Sequence, residues 1–454
     1  MNKKSALKQR VCQEINRFRS EIESIGDRIM NQPELGFREF KTAEFVATTM
    51  QAFGIPHETG LGITGVKGLL TGKKPGPTVA ILGELDALHV AGHPMADPET
   101  GAAHGCGHNA QIAGLLGAMM GLVEAGAAEE LSGRIVFFAV PAEECVEIEY
   151  RTQLLNQNKL SLIVGKAELI HLGHFDDIDM ALIVHTHNES VGKKVATLES
   201  CNGFIIKTAC FKGRASHAGC NPEKGINALS AAQLALAAIN AQRETFRDED
   251  TVRVHPILTK GGDSVNVVPA DVRLETFVRG KTNASILDAD AKVDRALRAG
   301  ALAVGASVEI KTIPGCMPLN DNPSLKEIFQ TNIIELLGED QFVEIGHDAG
   351  STDVGDISHL MPVLHPSMGG ATGDFHSQNW RISDKELAYL DPAKALSLTV
   401  IDLLWKDAEK ARSILANYVP AMTKEEYLAY QDNLFRTEHY DGQTGKSEVV
   451  SQNI

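Results

Sequence analysis

The chain has 454 residues, of which 43% are hydrophobic and 22% charged, and 43 Lys and Arg against 59 Asp and Glu give a formal net charge of −16. This length predicts at least two domains with ordinary cores, and the composition excludes disordered and fibrous proteins. The negative charge argues against nucleic acids and anionic membranes as partners, because both attract clustered Lys and Arg.

The N-terminal sequence and the cysteines predict a cytoplasmic protein. MNKKSALKQRVCQEINRF is charged and lacks the apolar segment of a secretory signal, and no window approaches the ~20 apolar residues of a membrane span. The seven cysteines are scattered and odd in number, which does not suit a disulfide framework. We therefore expect a reducing environment and no membrane attachment.

Helices and hydrophobic strands alternate in the first part of the chain. The spacing of apolar residues predicts helices at 5–30, 38–53 and 111–124, and strands at 78–85, 134–140 and 180–184. Nearly continuous hydrophobic strands separated by helices are typical of a parallel sheet covered on both faces. The sequence therefore predicts an α/β domain with a mixed, mostly parallel sheet.

The pattern changes near residue 198. Strands predicted at 204–211, 252–258, 265–278 and 307–313 alternate with helices at 226–242 and 286–303 in the order βαββαβ, which indicates an α+β unit. From Pro314 the α/β pattern returns, with helices at 323–337 and 392–416. We predict that 198–313 is inserted into a catalytic domain formed by 1–197 and 314–454, whose polar end after Pro420 is peripheral.

Possible metal ligands follow the strands predicted at 78–85 and 134–140. Cys106 and His108 are two residues apart, so in an extended segment they project to the same side and could share a divalent ion. Glu143 and Glu144 close the strand 134–140. Because neighbouring side chains point in different directions, one of them could bind metal while the other contacts a water.

Two further groups of histidines complete the candidate ligands. His185 and His187 close the strand 180–184, and His376 lies in a glycine-rich segment. Each group alone is weak, since Cys-x-His is more often a buried structural pair and Glu-Glu is more often solvated. Ligands of open α/β sheets gather at the carboxyl ends of strands, so the groups together favour a metal centre.

The order of the motifs gives the sequence a family resemblance. The motifs are Leu85-Asp86-Ala87-Leu88, His104 to Asn109, Pro-Ala-Glu-Glu at 141–144, Gly213-Arg-Ala-Ser-His217-Ala, GDSVNVVP at 262–269, Gly350-Ser-Thr-Asp-Val-Gly355 and His376. This set resembles the dinuclear-metal amidohydrolases and aminoacylases of the glutamate carboxypeptidase-type metallopeptidases. The nearest branch is that of aminobenzoyl-glutamate and indole-acetyl-amino-acid hydrolases, and the resemblance runs from Pro33 to about residue 380.

The resemblance implies a role for each matching residue. The metal ligands would be Cys106, His108, Glu144, His185 and His376. Glu143 would be the general base, and Asp86 would orient a ligand imidazole. In the inserted domain, which would act as a lid and dimerisation domain, His217 would reach the partner subunit's site and stabilise the tetrahedral intermediate. Asn266 and Arg279 would hold a substrate carboxylate.

The cofactor implied is one or two divalent ions per subunit, zinc or manganese. A thiolate favours zinc, whereas carboxylates and imidazoles also accept manganese. The run Asp179-Met-Ala-Leu-Ile-Val aligns His185 with the family's ligand, but the spacing alone leaves His187 open. The resemblance also implies a homodimer formed through the lid domain.

The sequence departs from the family around its Glu-Glu pair. Glycine-rich sequence usually follows there, whereas this chain has Cys145-Val-Glu-Ile-Glu-Tyr-Arg151 and a long segment, 145–178. Cys145 could be a soft ligand, a redox-sensitive neighbour of the metals or a buried thiol, and we favour the last. Met30 also stands where the family often has a histidine. These differences bear on specificity rather than on the type of reaction.

The predicted activity is metal-dependent hydrolysis of a small-molecule amide: an N-acyl amino acid, an aminobenzoyl-glutamate-like conjugate or a dipeptide. Metal-activated water would attack, with Glu143 acting as general base and then acid. One alternative is a dipeptidase, whose substrate amine could be recognised by the acidic segment Glu147–Glu149. A second is a catalytically silent dimeric binding protein, which predicts missing ligands, although this sequence has them all.

Overall fold

The computed structural model describes residues 3–451. Its α-helices cover every predicted helical segment, and four others, at 148–156, 165–171, 354–358 and 424–434, were not predicted. The helices are α1 (Lys3–Arg17), α2 (Arg19–Met30), α3 (Phe40–Ala52), α4 (His108–Glu124), α5 (Ile148–Asn156), α6 (Gly165–His171), α7 (Ala228–Ala241), α8 (Asn283–Val304), α9 (Pro323–Leu337), α10 (Val354–Ser358), α11 (Asp391–Leu404), α12 (Glu409–Asn417) and α13 (Lys424–Leu434).

The strands of the same range form several sheets. They are β1 (His57–Leu61), β2 (Gly65–Thr71), β3 (Lys74–Glu84), β4 (Leu88–His89), β5 (Ala102–Ala103), β6 (Ser132–Val140), β7 (Met180–Leu182), β8 (His185–Asn188), β9 (Val195–Cys201), β10 (Gly203–Lys212), β11 (Arg253–Val254), β12 (Ile257–Lys260), β13 (Asp271–Gly280), β14 (Ser307–Cys316), β15 (Leu319–Asn320), β16 (Phe342–Asp348), β17 (Val363–Leu364), β18 (Ser367–Thr372), β19 (Arg381–Ile382), β20 (Arg436–Asp441) and β21 (Lys446–Ser451).

The chain divides into two compact units, and unit 1 contains the predicted parallel strands. Unit 1 comprises the residues up to Glu199 together with Asn320–Gly346 and Asp356–Ala421. Its six-stranded sheet has the order β1-β2-β6-β3-β7-β17. Strands β6, β3, β7 and β17 run parallel, whereas β1 and β2 are antiparallel additions at one edge. The predicted mixed, mostly parallel sheet is confirmed.

The centre of unit 1 is apolar on every side. Strand β6 is buried along nearly its whole length, as its hydrophobic sequence predicts. Helix α4 is buried around its full circumference, and its glycines allow close helix packing. A Cβ at Gly121 would overlap Ile15 of α1, which shows how tightly these helices meet. This packing fixes the start of α4, where His108 lies.

Unit 2 is a two-layer α+β structure. It comprises Ser200–Leu319, His347–Gly355 and the chain from Met422. Its antiparallel sheet has the order β11-β13-β10-β14-β20-β21, with β12 beside β13. Buried side chains of α7 and α8 form one core with those of the sheet. The observed order of elements from β10 to β14 follows the predicted βαββαβ pattern, with the second strand divided into β11 and β12.

The C-terminal part of the chain differs from the prediction. We expected 314–454 to join the catalytic domain and the end after Pro420 to be peripheral, whereas the chain from Met422 belongs to unit 2. The physical reason is that β20 pairs along β14, from Ser307 opposite Asp441 to Thr312 opposite Arg436. The catalytic and lid roles of the two units remain predictions.

Two predicted helices are each divided in the structure. The segment 5–30 forms α1 and α2, because Phe18 between them leaves the helical conformation with φ −88° and ψ 17°. The segment 392–416 forms α11 and α12, separated by a turn in which Ala408 has a left-handed φ of 56°. No α-helix among residues 3–451 combines the length and the apolar character needed to cross a membrane.

Candidate metal centre

The candidate ligands lie where strands of unit 1 end. Cys106 and His108 flank Gly107, whose φ of 92° is left-handed and whose Cβ position is closed by Thr186, so this position requires glycine. His108 is the first residue of α4. Glu143 and Glu144 follow the end of β6, and His185 begins β8 shortly after β7. The order of strands and turns in the sequence therefore places these side chains at one edge of the unit 1 sheet.

The donor atoms form overlapping groups of three. In each group the atoms lie within 4.8 Å of one another, and the groups are Cys106, His108 and His185; Cys106, Glu144 and His376; and Glu84, His108 and Glu143. Cys106 Sγ lies 3.5 Å from His185 Nε2, and His376 Nε2 lies 3.3 Å from Glu144 Oε1. The structure thus brings all five predicted ligands together, with Glu143 beside them.

Asp86 connects two of the candidate ligands. Its Oδ1 lies 3.2 Å from His108 Nδ1, whose distance to the Asp86 carbonyl oxygen is 2.9 Å. Its Oδ2 accepts a hydrogen bond from the backbone N–H of Glu144 at 2.9 Å. A proton on His108 Nδ1 satisfies both oxygens, so the Nε2 lone pair is directed into the centre.

The charges of the centre are arranged around Glu84, which is buried. Burial alone would raise the pKa of Glu84, but Lys166, whose Nζ lies 2.6 Å from Glu84 Oε1, and His108 hold that pKa far below its usual range. Burial lowers the pKa of His108, yet Glu84 and the hydrogen bond to Asp86 raise it overall. Without a metal these groups therefore compensate one another as ion pairs.

Cys106 is prepared to act as a thiolate. Burial and the negative charge of Glu144 raise the pKa of the Cys106 thiol. The charge of His185 and hydrogen bonds lower this pKa by a larger amount, so its net value is about 6. A thiol with this pKa is deprotonated at neutral pH, and the thiolate is the form that binds metal. The site thus contains a soft anionic ligand among imidazoles and carboxylates.

The donor set fits a divalent metal. His108 Nε2 is buried and, among residues 3–451, makes no hydrogen bond of normal geometry, although Glu84 Oε2 and Glu143 Oε2 lie 3.0 and 3.9 Å away. A buried polar atom usually has a partner, so a ring nitrogen without one, among converging ligand atoms, is the arrangement that a metal ion satisfies. Thiolate, imidazole and carboxylate are the ligands that zinc and similar ions take in proteins.

The two histidines after β7 have different surroundings. His185 belongs to the first group of donors, and its Nδ1 lies 2.8 Å from the Thr186 carbonyl oxygen. In His187 both ring nitrogens have other partners: Nδ1 lies 2.9 Å from Ser367 Oγ and Nε2 lies 2.9 Å from the Lys193 carbonyl oxygen. The geometry therefore favours His185, as the alignment does.

Comparisons with known proteins identify the family of this chain. The sequence profile of Peptidase family M20/M25/M40 matches residues 80–396. The chain belongs to this family. It is 26% identical over 437 residues to Xaa-Arg dipeptidase of Mus musculus, covering 88% of this chain and 90% of that protein. It is 28% identical over 333 residues to one of the p-aminobenzoyl-glutamate hydrolase subunits of Escherichia coli, covering 69% of this chain and 64% of that protein.

A solved structure has the same fold. The Bacillus subtilis YXEP protein, a dinuclear metal binding peptidase of the M20 family, superposes with a TM-score of 0.62 at 19% identity, covering 86% of this chain and 99% of that one. The predicted family resemblance is confirmed. As a member of Peptidase family M20/M25/M40, the chain is a metal-dependent hydrolase of amide bonds.

The other predicted residues of this M20/M25/M40 peptidase lie in unit 2. His217 pairs with Val267 in an isolated bridge, and the N–H of Ala218 donates to the Asn266 carbonyl oxygen at 2.9 Å, so His217 and Asn266 are neighbours. Arg279 lies on β13 with its guanidinium 5.3 Å from the centroid of the Phe204 ring. Their roles toward substrate remain predictions.

The residues after the Glu-Glu pair are placed as follows. Cys145 is a buried thiol and is not part of the three donor groups. Glu147, part of the acidic segment considered for amine recognition, forms an ion pair with Arg38 at 3.1 Å. The carboxylate of Glu147 therefore already has a cationic partner within the chain.

Several residues of the site were missed at the level of the sequence. Glu84 ends a hydrophobic strand, so its position next to Asp86 was a usable signal. Lys166 and Arg151 are buried cations in a segment with no recognisable motif. His365 is buried after β17, its ring centroid lies 5.9 Å from that of His185, and burial together with the charge of His185 lowers its pKa to about 3. Nothing in the local sequence distinguishes these three from surface residues.

Proposed function

We propose that this chain hydrolyses the amide bond of N-acyl amino acids, including aminobenzoyl-glutamate-like conjugates. The observation that carries the proposal is the convergence of a thiol, three imidazoles and a carboxylate with Glu143 at their edge. Such a site suits attack of water on an unactivated amide, because it combines strong metal ligands with a nearby carboxylate base.

Two of the donor groups would hold metal. Cys106, His108 and His185 form one group, and Cys106, Glu144 and His376 form the other. Because they share Cys106, the set is suited to one or two ions, which we propose to be zinc or manganese. A divalent ion held there would supply Lewis-acid chemistry: it polarises a carbonyl and makes water more acidic.

Glu143 would move the proton during the reaction. Its carboxylate accepts a proton from the attacking water as the new C–O bond forms at the amide carbon. It then donates the same proton to the leaving nitrogen as the C–N bond breaks, so the amine departs neutral. Asp86 would act through His108 and Glu144, whose orientations it fixes.

Residues of unit 2 would recognise the remainder of the substrate. Arg279 is suited to a carboxylate because its planar guanidinium donates two parallel hydrogen bonds, and Asn266 can add a third. His217 would stabilise the oxyanion of the tetrahedral intermediate in the partner subunit of a homodimer formed through unit 2. We further propose that this homodimer works in the cytoplasm.

A dipeptidase is the second candidate. Its support is the match to Xaa-Arg dipeptidase of Mus musculus, which extends over 88% of this chain. The two candidates differ on the acyl side of the scissile amide. In an N-acyl amino acid this acyl group has no free amine, whereas in a dipeptide it carries one. Substrate competition therefore separates them.

The test is release of amine from a substrate panel, before and after chelation. The panel contains aminobenzoyl-glutamate, N-acetyl amino acids, indole-acetyl conjugates and dipeptides with C-terminal arginine or N-terminal β-alanine. We expect chelator-sensitive hydrolysis that zinc or manganese restores, with acylated substrates preferred over free dipeptides. The reverse preference would replace our proposal with the dipeptidase, and a metal-loaded protein silent on every substrate would contradict both.

Replacement of the proposed base gives a sharper prediction. Glu143→Gln keeps the size of the side chain but removes its basicity, so we expect kcat to fall by about 100-fold or more. Metal content, measured by inductively coupled plasma mass spectrometry, should stay at the wild-type level, because Glu143 is not among the proposed ligands. Retained turnover would exclude Glu143 as the base.

A further inference from the structure

The turn that carries Glu143 is held in an unusual conformation. Ala142, directly before it, has a φ of 53°, in the left-handed region that residues with a Cβ seldom adopt. Such a conformation persists only where the surroundings determine it, and it is concentrated at functional sites. The contacts that hold Ala142 therefore also hold the position of Glu143.

A buried arginine contributes to these contacts. Arg151, on α5, is 1% exposed. Its Nη1 donates to the carbonyl oxygens of Ala142 at 3.1 Å and Ile163 at 2.6 Å, and its Nη2 donates to the carbonyl oxygen of Glu144. One guanidinium thus bonds the backbone on both sides of Glu143.

The same turn is fixed from its other face. Glu39, which is fully buried, accepts a hydrogen bond from the Ala142 N–H at 2.8 Å, and Asp86 accepts one from the Glu144 N–H at 2.9 Å. The donors of the turn are therefore bound by carboxyl groups, and its acceptors are bound by Arg151 together with the backbone N–H groups of Gly165 and Val146. These contacts hold the backbone on both sides of Glu143.

The chain is built to accommodate the guanidinium. It lies 5.1 Å from the centroid of the Phe37 ring, and a Cβ at Gly36 would overlap Arg151 Nη2. Burying a cation costs free energy, and the hydrogen bonds from Nη1 and Nη2 to three carbonyl oxygens offset part of that cost. Nε is also buried and has no hydrogen-bond partner among residues 3–451. Purely structural packing of α5 would be met by an apolar side chain, as it is at Leu154 of the same helix.

We propose that Arg151 is a positioning residue that aims Glu143 at the attacking water, an inference that rests on the proposed function. It explains the departure of this sequence from the glycine-rich pattern after Glu-Glu, because the segment 145–178 provides Arg151 and its acceptor Ile163. Arg151 does not touch the substrate; it acts through the backbone of 142–144.

The test compares Arg151→Met and Arg151→Lys with Leu154→Ala. Arg151→Met keeps the aliphatic volume and removes every donor. Leu154→Ala loosens the apolar cluster that also contains Ala142 but keeps every hydrogen bond of Arg151, so it separates loss of packing from loss of these bonds. For Arg151→Met we expect kcat per bound metal to fall about 100-fold, the cost of misplacing a reacting group by about 1 Å, with KM unchanged. Arg151→Lys should lose less, because a lysine can still reach one carbonyl oxygen, and Leu154→Ala should keep its kcat.

A second readout does not depend on activity. Hydrogen exchange at the amides of Ala142 and Glu144 should become faster in Arg151→Met and stay at the wild-type rate in Leu154→Ala. In the Glu143→Gln background, Arg151→Met should reduce kcat no further, because the base that Arg151 positions is already missing. If Arg151→Met does not fold, Arg151→Lys carries both measurements.

The outcomes separate this inference from the proposed function. Unchanged exchange at Ala142 and Glu144 together with an unchanged kcat would overturn the role of Arg151, as would an equal loss of kcat in Leu154→Ala. If the wild-type protein hydrolyses no amide, the proposed function fails. The exchange measurement then still decides whether Arg151 fixes the turn.

Discussion

At the scale of the residue, the sequence predicted which side chains meet but not which atoms they use. Cys106, His108 and His185 could be placed together because each follows a strand or a turn at one sheet edge. The choice between His185 and His187 depends on two hydrogen-bond partners of His187. One is the Ser367 hydroxyl, which is remote in sequence, and the other is the Lys193 carbonyl oxygen, which belongs to the backbone. Spacing alone could not reveal these partners.

This difference predicts opposite results for the two histidines. His185→Ala should lower both the bound metal and the activity, because it removes a donor of the Cys106 and His108 group. His187→Ala should retain metal and activity but lose about 1–3 kcal/mol of stability, because the Ser367 hydroxyl and the Lys193 carbonyl lose a buried partner.

Metal analysis and thermal unfolding of the two purified variants check this prediction. His185→Ala serves as the positive control for ligand loss, since it changes the same residue type two positions away. A His187→Ala protein that loses metal as completely as His185→Ala would show that the two histidines share the ligand role.

At the scale of the element, hydrophobic periodicity predicted the structure where burial is uniform. Strands predicted at 78–85 and 134–140 correspond to β3 and β6, and the helix predicted at 323–337 is α9. The hairpin β1–β2 was missed, because β1 is polar and the glycines of β2 interrupt the alternation of a half-buried strand. Strand pairing, rather than local pattern, forms it.

One connection between elements gives a pH prediction. Asp321, between β15 and α9, accepts a hydrogen bond from the His365 N–H at 2.9 Å, at the end of β17. Its Oδ2 is buried and has no hydrogen-bond partner within the described range. Burial raises the pKa of Asp321 to about 7, while the His365 N–H and the positive charge of Lys326 offset only part of this effect.

The sign of the pH effect follows from this raised pKa. Between pH 4 and pH 7 the folded protein holds a proton on Asp321 that the unfolded chain releases, so its contribution to stability falls as pH rises. Asp321→Asn cannot titrate. The free energy of unfolding of the variant, relative to wild type, should therefore increase by about 1–3 kcal/mol from pH 5 to pH 8.

Urea unfolding at both pH values measures this change. Asparagine retains an oxygen for the His365 N–H, so the variant isolates the effect of charge from that of the hydrogen bond. A constant difference between the two proteins across the pH range would mean that Asp321 is ionised throughout and that the connection tolerates its charge.

At the scale of the whole molecule, the sequence predicted an inserted α+β unit but not where the chain returns to it. The residues after Pro420 are polar on average, and that average hides Leu434 and Tyr440, which belong to the buried core of unit 2. Pairing of β20 with β14 is a contact between segments far apart in sequence. Local composition carries no signal for such a pairing, so the boundary could be located only in the structure.

Arg436 on β20 connects this segment to a buried charge cluster. Its guanidinium bonds Asp290 and lies 3.0 Å from Asp294, and both aspartates lie 2.5 Å from Lys207 Nζ. Two cations and two anions balance each other in this cluster. Loss of Arg436 would leave one aspartate charge buried without compensation, which is a strongly destabilising change.

Removal of residues 422–454 should therefore destabilise unit 2 selectively. The deletion uncovers the backbone of β14, opens the core at Leu434 and Tyr440, and removes Arg436. Metal binding should persist, because the candidate ligands all lie in unit 1.

Calorimetry should show a transition at lower temperature in the truncated protein, alongside an unchanged metal content. Arg436→Met is the matched control: it removes the guanidinium with its bonds to Asp290 and Asp294 but keeps β20 and the core, so its transition should fall between those of wild type and deletion. If the deletion unfolds as wild type does, β20 contributes nothing to unit 2; if it also loses metal, the two units do not fold independently.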